Sequence, residues 1–418
     1  MRFFLQFLVG IGLAGTLGAA PVADPAASAK ALAGLAGWLA TAREARPAVA
    51  EAAFAKVPLT KEAAARAGQL LWEDHAAFLR TTRAAELAAK AIRIGEHELK
   101  FEIVPFGDKA AAPAGGRSLF LSLHGGGGAP AEVNDSQWRN QIQLAQAYHP
   151  KEGLYVAPRG PTNSWKLWHE DHIDPLFDRL IADLVVLENV NPNRVYILGY
   201  SAGGDGVYQL GPRMADRWAA ASMMAGHPNS ASPLGLRNVP FSIQVGANDA
   251  AFRRNKVAGE WGKKLDALQA EDAGGYTHFT ELHEGKGHWM DLEDRKAIPW
   301  MEKFTRNPRP ERIAWHQDGV LHFTSYWLAL PPGAARAGQE IRAERHGQTI
   351  TLKTTDVTEL LVRLSDAMLN LDEPVTVQAG DKALFTGRAA RTIGTLAHTL
   401  AERSDPELMF SAEIAVRP

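Results

Sequence analysis

The run Val195-Tyr196-Ile197-Leu198-Gly199-Tyr200-Ser201-Ala202-Gly203-Gly204 constrains this chain more than any other segment. Four apolar residues of strand type lead into G-x-S-x-G, and a helix-forming stretch through Asp205 to Met214 follows. A serine on a sharp turn between strand and helix is lifted over the end of a sheet, and the flanking glycines permit the turn. The three fixed residues alone are common. The placement between strand and helix gives them meaning.

The chain around this turn alternates short apolar runs with helical patterns. LKFEIVPFG and RSLFLSLHGGGG read as strands, followed by a helix over NDSQWRNQIQLAQAY and a strand, GLYVAPRG. A helix over DPLFDRLIADLVVLENV precedes the serine strand. WAAASMMAGHP, PFSIQVGAND and THFTELHEGKGH continue as strands, with helices at NKVAGEWGKKLDALQA and IPWMEKF. Alternation of this kind predicts an α/β fold, a mostly parallel sheet covered by helices on both faces. Functional groups in such sheets collect at the carboxyl ends of strands.

A serine hydroxyl needs a base to take its proton, and the base needs an acid to orient it. The expected chain order is serine, acid, histidine. Asp249 ends the strand FSIQVGAN, 48 residues after Ser201, and His288 follows the next strand, 39 residues later. Asp249 would fix the imidazole tautomer, and His288 would accept the serine proton and return it to the leaving group. His124-Gly125-Gly126-Gly127-Gly128 ends another strand. Its glycines would let backbone N–H groups approach a developing oxyanion, the expected donors being Ala202 together with Gly126 or Gly127.

Over residues 95 to 305 the chain resembles the α/β-hydrolase superfamily. LSLHGGGG, LGYSAGGDG, GAND and GKGHWM occur in that family's order. It looks like secreted bacterial esterases near the polyhydroxybutyrate-depolymerase, feruloyl-esterase and prolyl-oligopeptidase branches. The resemblance implies an α/β-hydrolase fold and the triad roles given above. The secreted depolymerases usually carry disulfides, and this chain has no cysteine.

Other residues compete for roles. His283 is a rival base, but His288 sits past the strand beside Gly287. Glu281 and Glu284 read as surface charges. Asp205, one turn behind the serine, would steady the elbow. The loop Ser164 to Asp174, SWKLWHEDHID, lies at the catalytic end. Its Trp165, Trp168, His169 and His172, with His124 and His227, are the candidate substrate contacts, and aromatic side chains there would stack on a sugar or phenolic ring. The imidazoles with Glu170, Asp171 and Asp174 offer metal ligands, but not at H-E-x-x-H spacing. No metal or cofactor is expected. Asn134 and Asp135 read as caps of the helix after the glycine loop.

The termini add further units. Met1-Arg2, an apolar run from Phe3 to Leu17 and the small residues Gly18-Ala19-Ala20 read as a signal peptide over residues 1–23, so an exported protein, periplasmic or extracellular, is expected. Residues 24–94 are Ala-rich and helical in period, and would pack on the main domain or act as a lid. The catalytic domain spans residues 95–306, and the prolines of 307–312 suggest a linker. Residues 313–418 turn mainly β, with one helix over TIGTLAHTLAER, and suggest a small sandwich-like accessory domain. Trp315, Tyr326 and Trp327 are its core or a binding platform.

A net charge of −2 gives no basis for nucleic-acid binding. The expected function is a serine esterase acting on a small-molecule or polymeric ester. A serine peptidase and a carbohydrate- or polymer-surface-binding protein are the alternatives.

Overall fold

A computed structural model of the chain describes residues 21–108 and 113–418. Of the expected signal peptide over residues 1–23, residues 1–20 lie outside them. Two N-terminal helices come first, α1 (Pro25–Ala40) and α2 (Lys61–Ala89). Asp24 and Thr60 cap them through side-chain oxygens that accept N–H groups of the first turn. The helical pattern expected up to residue 94 stops earlier. Lys90 turns left-handed, and Ala91–Ile94 forms a strand, β1, that pairs antiparallel with β2 (His97–Phe106). Ile92 and Ile94, β-branched and facing the core, favour that pairing over a further helical turn.

The main sheet continues with β3 (Arg117–Leu123), α3 (Ala131–Tyr148), β4 (Gly153–Arg159), α4 (Ile173–Leu187), β5 (Val190–Tyr200), α5 (Ala202–Arg213) and β6 (Ala220–Met224). It ends with β7 (Phe241–Gly246), α6 (Arg254–Glu271), β8 (His278–His283) and the short α7 (Ala297–Met301). Its order is β1-β2-β4-β3-β5-β6-β7-β8, with β1 and β2 antiparallel and the six from β4 to β8 parallel. Strand alternation divides the core between the two faces. Val195 and Ile197 of β5 pack with Leu176, Phe177 and Val207 on one side. Tyr196 and Leu198 pack with Tyr148, Ile298 and Met301 on the other. The chain winds one way from β3 to β4 and the other way to β5. The crevice at that reversal, outside the strand ends, is where such sheets bind ligands.

The C-terminal region is two sheets. One contains β10 (Thr324–Ser325), β11 (Leu328–Ala329), β14 (Leu360–Leu364) and β17 (Ala412–Val416). The other contains β9 (Arg312–His316), β12 (Glu340–His346), β13 (Thr349–Thr355), β15 (Val375–Ala379) and β16 (Lys382–Gly387). The expected helix is α8 (Ile393–Arg403). Trp315, Tyr326 and Trp327 are buried in a core continuous with that of the main sheet, so they form no surface platform. Helix α2 joins the units from outside. It packs on α8 through Ala67 and Leu71, and on α4 through Ala76 and Leu79.

The segment 307–312 is fastened at both ends rather than free. The Trp327 indole donates to the Pro310 carbonyl at 2.7 Å, and Arg306 is buried. Arg306 meets Asp405 at 2.9 Å, Arg217 reaches Asp405 at 3.4 Å and Asp178 at 2.7 Å, and Arg403 meets Asp216 at 2.8 Å. Burial disfavours the charged form of Asp405, but the two guanidiniums outweigh it and hold the carboxyl below the ordinary range. Removing one member of such a set strands buried charge, which costs about 3–5 kcal/mol. Asp405→Ala is therefore expected to lose stability of that order in urea unfolding. A loss under about 1 kcal/mol would mean the cluster does not hold the seam.

Candidate functional site

Ser201 sits at the β5–α5 turn with φ 58° and ψ −119°. A positive φ at a residue with a Cβ is strained and persists only where the surroundings enforce it. Here the enforcement is close backbone contact. A Cβ on Gly203 would lie 2.1 Å from the Leu123 carbonyl oxygen, and one on Gly199 would lie 2.3 Å from that of Gly203. Only glycine lets β5, α5 and the end of β3 meet this closely. The Ser201 N–H is tied to the Met224 carbonyl at 2.9 Å.

The histidine and acid follow β8 and β7. His288 Nε2 lies 3.0 Å from Ser201 Oγ, and His288 Nδ1 lies 2.7 Å from Asp249 Oδ2. Asp249 is buried, and Arg254 approaches its second oxygen at 3.5 Å. Serine hydroxyl, imidazole and carboxylate are thus hydrogen-bonded in series. The rival His283 is buried elsewhere, with Gln244 at 2.8 Å and Glu293 at 3.1 Å.

The strand order and the elbow together decide the fold. The chain has the α/β-hydrolase fold. No family model matches it, and no curated protein matches it in sequence. Solved structures similar to it over about half of its length include the following three. A thermostable esterase is 20% identical, with 52% of this chain and 62% of that one covered and a TM-score of 0.41. Esterase PE8 is 20% identical, with 49% and 98% covered and a TM-score of 0.38. LpqC, a poly(3-hydroxybutyrate) depolymerase from Bordetella parapertussis, is 15% identical, with 51% and 86% covered and a TM-score of 0.39. This chain thus spans less than two thirds of the thermostable esterase.

The glycine loop lies against the elbow. Gly127 donates its N–H to Asn134 Oδ1 at 2.8 Å, and Gly128 donates to the Ser164 carbonyl at 2.9 Å. Both are occupied, whereas Gly126 faces the cavity beside Ser201. The Ala202 N–H, in the first turn of α5, has no intrahelical acceptor. Asn134 was expected to cap its helix, but α3 already begins at Ala131 after Pro130. The buried Asn134 side chain instead clamps the loop, bonding also to the Ala129 carbonyl at 3.0 Å. Asp135 pairs with Arg159 at 2.8 Å.

The candidate substrate contacts separate sharply. His124 is fully buried. Its Nδ1 donates to the Gly125 carbonyl at 2.6 Å, and its Nε2 accepts the Gly160 N–H at 3.0 Å. Burial pushes it down to about 4, so it is a neutral brace within the loop. Trp168 is also fully buried, its indole donating to the His124 carbonyl at 3.0 Å. Burial lowers His169 to about 4, and His172 stacks on His97 with ring centroids 3.8 Å apart. Asp174 is committed to Arg213 at 2.6 Å and His322 at 2.5 Å. Of the Ser164 to Asp174 loop, Trp165 alone reaches the serine cavity. It does so because Gly128 pins Ser164 beside the elbow, while the rest of the loop turns into the core. Among the described residues, no cluster of three or more metal-ligating side chains occurs.

The cavity holds about 100 Å³ and is lined by Ser201, Gly126, Ala202, Trp165, Asp205 and His227, with Asn229, Phe252 and Arg254. The last three were not singled out from the sequence. Phe252 and Arg254 follow Asp249 on its own loop, where left-handed Phe252 and Arg253 turn the chain toward the serine. Their nearness to the acid was the available signal. Asp205 accepts the His227 N–H at 2.6 Å and thereby joins the elbow helix to the loop after β6.

Burial pushes Asp205 up to about 6, only partly offset by the His227 N–H and the Asn229 amide. An unfolded aspartate ionises near 4, so the folded state holds more protons between these values. Stability from the protonated form is therefore lost as pH rises from about 4 through about 6. Asp205→Asn, which cannot ionise, is expected to melt above the wild type at pH 8 and to lose that advantage by about pH 4. A difference in melting temperature that does not vary across this range would refute the raised pKa.

Proposed function

We propose that the protein is an exported serine hydrolase that cleaves carboxylic esters through an acyl-enzyme. The relay Ser201–His288–Asp249 carries this reading, with His288 3.0 Å from the serine oxygen and 2.7 Å from the acid. Ser201 Oγ attacks the ester carbonyl while His288 Nε2 takes its proton. The N–H groups of Gly126 and Ala202 receive the oxyanion, and one such donor is worth about 3–4 kcal/mol in the transition state. Collapse expels the alcohol, protonated by His288. Water then repeats the sequence on the acyl-enzyme and releases the acid. Asp249 keeps the imidazole in the tautomer that presents a bare Nε2 and stabilises the imidazolium. The leader-like residues 1–20 support export. Among the described residues, no helix is long and apolar enough to cross a membrane.

The cavity supports a short acyl group. At about 100 Å³ it is a small cavity. Asp205, His227, Asn229 and Arg254 give it a polar lining. The outer side is open. Trp165 and Phe252, exposed and tilted against each other at 5.7 Å, stand on it, and Trp289 is exposed beside the base. An aromatic edge of this kind suits a large or polymeric alcohol portion.

Ser201→Ala is expected to abolish hydrolysis of p-nitrophenyl acetate and butyrate while keeping the wild-type melting temperature. Full activity in that variant would eliminate the relay. Wild-type kcat/KM is expected to fall about tenfold or more from butyrate to octanoate, since added methylenes meet the polar Asp205, His227, Asn229 and Arg254. Equal rates would eliminate the short acyl pocket. Asn134→Ala, which unclamps the glycine loop, is expected to lower kcat about ten- to a hundredfold with a smaller change in KM. An unchanged kcat would show that the loop holds its shape without the clamp.

A further inference from the structure

His288 stands on a loop pinned on either side, by the Lys286 pairs with Asp291 and Glu293 and by the buried Met290, while its own ring is exposed. Its side chain is 43% exposed, so packing does not cage the imidazole. Gly285 has φ +74°, and the space beside Gly287 is open. The loop is anchored upstream, where the Asn248 N–H donates to the Lys286 carbonyl at 2.8 Å. Two residues later the chain must present Nε2 to Ser201 and Nδ1 to Asp249 together. An imidazole misplaced by an ångström loses much of its catalytic value.

The hydroxyl of Tyr200 meets the loop at that point. Tyr200 is the last residue of β5 and immediately precedes Ser201. Its O–H donates to the His288 carbonyl at 2.5 Å and accepts the Met290 N–H at 3.1 Å. Among the described residues, the first of these is the one hydrogen bond the His288 backbone makes. The Tyr200 ring also packs edge-on to the His288 imidazole, with centroids 5.9 Å apart, and tilts against Trp289 at 5.7 Å. Burial raises the phenol pKa, so the hydroxyl keeps its proton to donate.

We propose that Tyr200 is a positioning residue for the base: its hydroxyl ties the His288 peptide to the strand that carries the nucleophile. One side chain thereby fixes two members of the relay against each other. The assignment of roles rests on the Ser201–His288 reading above, but the tie itself is a property of the resting protein.

The test uses the full chain with Tyr200→Phe, which removes one oxygen and keeps the ring. In ¹⁵N-histidine-labelled protein, the His288 ring resonances, assigned by their loss in His288→Gln, are followed against pH without substrate. The expected result is a shifted or broadened His288 titration with the other histidines unmoved. Alongside it, kcat on a short ester should fall about ten- to a hundredfold, KM should stay within about twofold, and the melting temperature should change by only a few degrees. A His288 titration identical to wild type overturns the proposal, whatever the rate does. Absence of Ser201-dependent ester turnover in the wild type would defeat the proposed function instead, because the ring resonances report on His288 without any substrate.

Discussion

The contact between Gly203 and the Leu123 carbonyl organises the rest of this molecule. It brings the start of α5 against the end of β3, where any side chain at position 203 would collide with backbone 2.1 Å away. With those two elements in contact, the turn between β5 and α5 has no room to relax, and Ser201 is held at a positive φ. The same contact sets the geometry of the proposed oxyanion donors. The glycine loop leaves β3 just after Leu123, so one contact aligns Gly126 with Ala202 across the serine. Backbone strain of about 1–3 kcal/mol at one residue is sustained by a sheet packed on both faces.

That rigidity extends well past the catalytic sheet. A core continuous with the C-terminal sheets, the buried Arg217, Arg306 and Arg403 set with its carboxylates, and α2 lying across α4 and α8 bind three sequence regions into one body. Hydrophobic contact alone would tolerate sliding between the units. Buried guanidiniums do not, because each must stay on its carboxylate or be left charged and dry. The N-terminal helices act as a brace within this arrangement. They contribute nothing to the lining of the serine cavity, so the lid alternative finds no support there.

The sequence revealed the parts that repeat or alternate. Strands showed as short apolar runs between helical patterns, and the serine, acid and histidine showed through their order after strand ends. The segment from Ser164 to Asp174 showed less, because a loop has no period. Its Trp165, Trp168, His169 and His172 look alike on paper, yet one faces the cavity and three serve the interior or its edge. His124 misled for a related reason: a strand end at the catalytic face is also where the oxyanion loop needs an internal brace. Asn134 looked like a cap because it is polar near a helix start, but the helix begins earlier. The charged cluster at the seam was illegible, since Arg and Asp read as surface residues until distant partners from 178, 216 and 405 are brought together.

The three groups of the proposed triad are held with unequal firmness, and the inequality follows from where each stands. Ser201 is built into a strained turn between packed elements, and Asp249 is buried with its backbone N–H on Gly246 at 2.9 Å. His288 is the exposed member, on a glycine-flanked loop. A proton shuttle has to turn slightly between serine and leaving group, so it cannot be packed as tightly as the nucleophile. It can be tethered through its backbone, leaving the ring free, and a tether from the residue next to the serine moves with the serine. Tyr200 meets that requirement because β5 ends beneath the loop that carries His288. The residue between the elbow's glycine and its serine, unspecified in G-x-S-x-G, then gains a physical reason for its identity here.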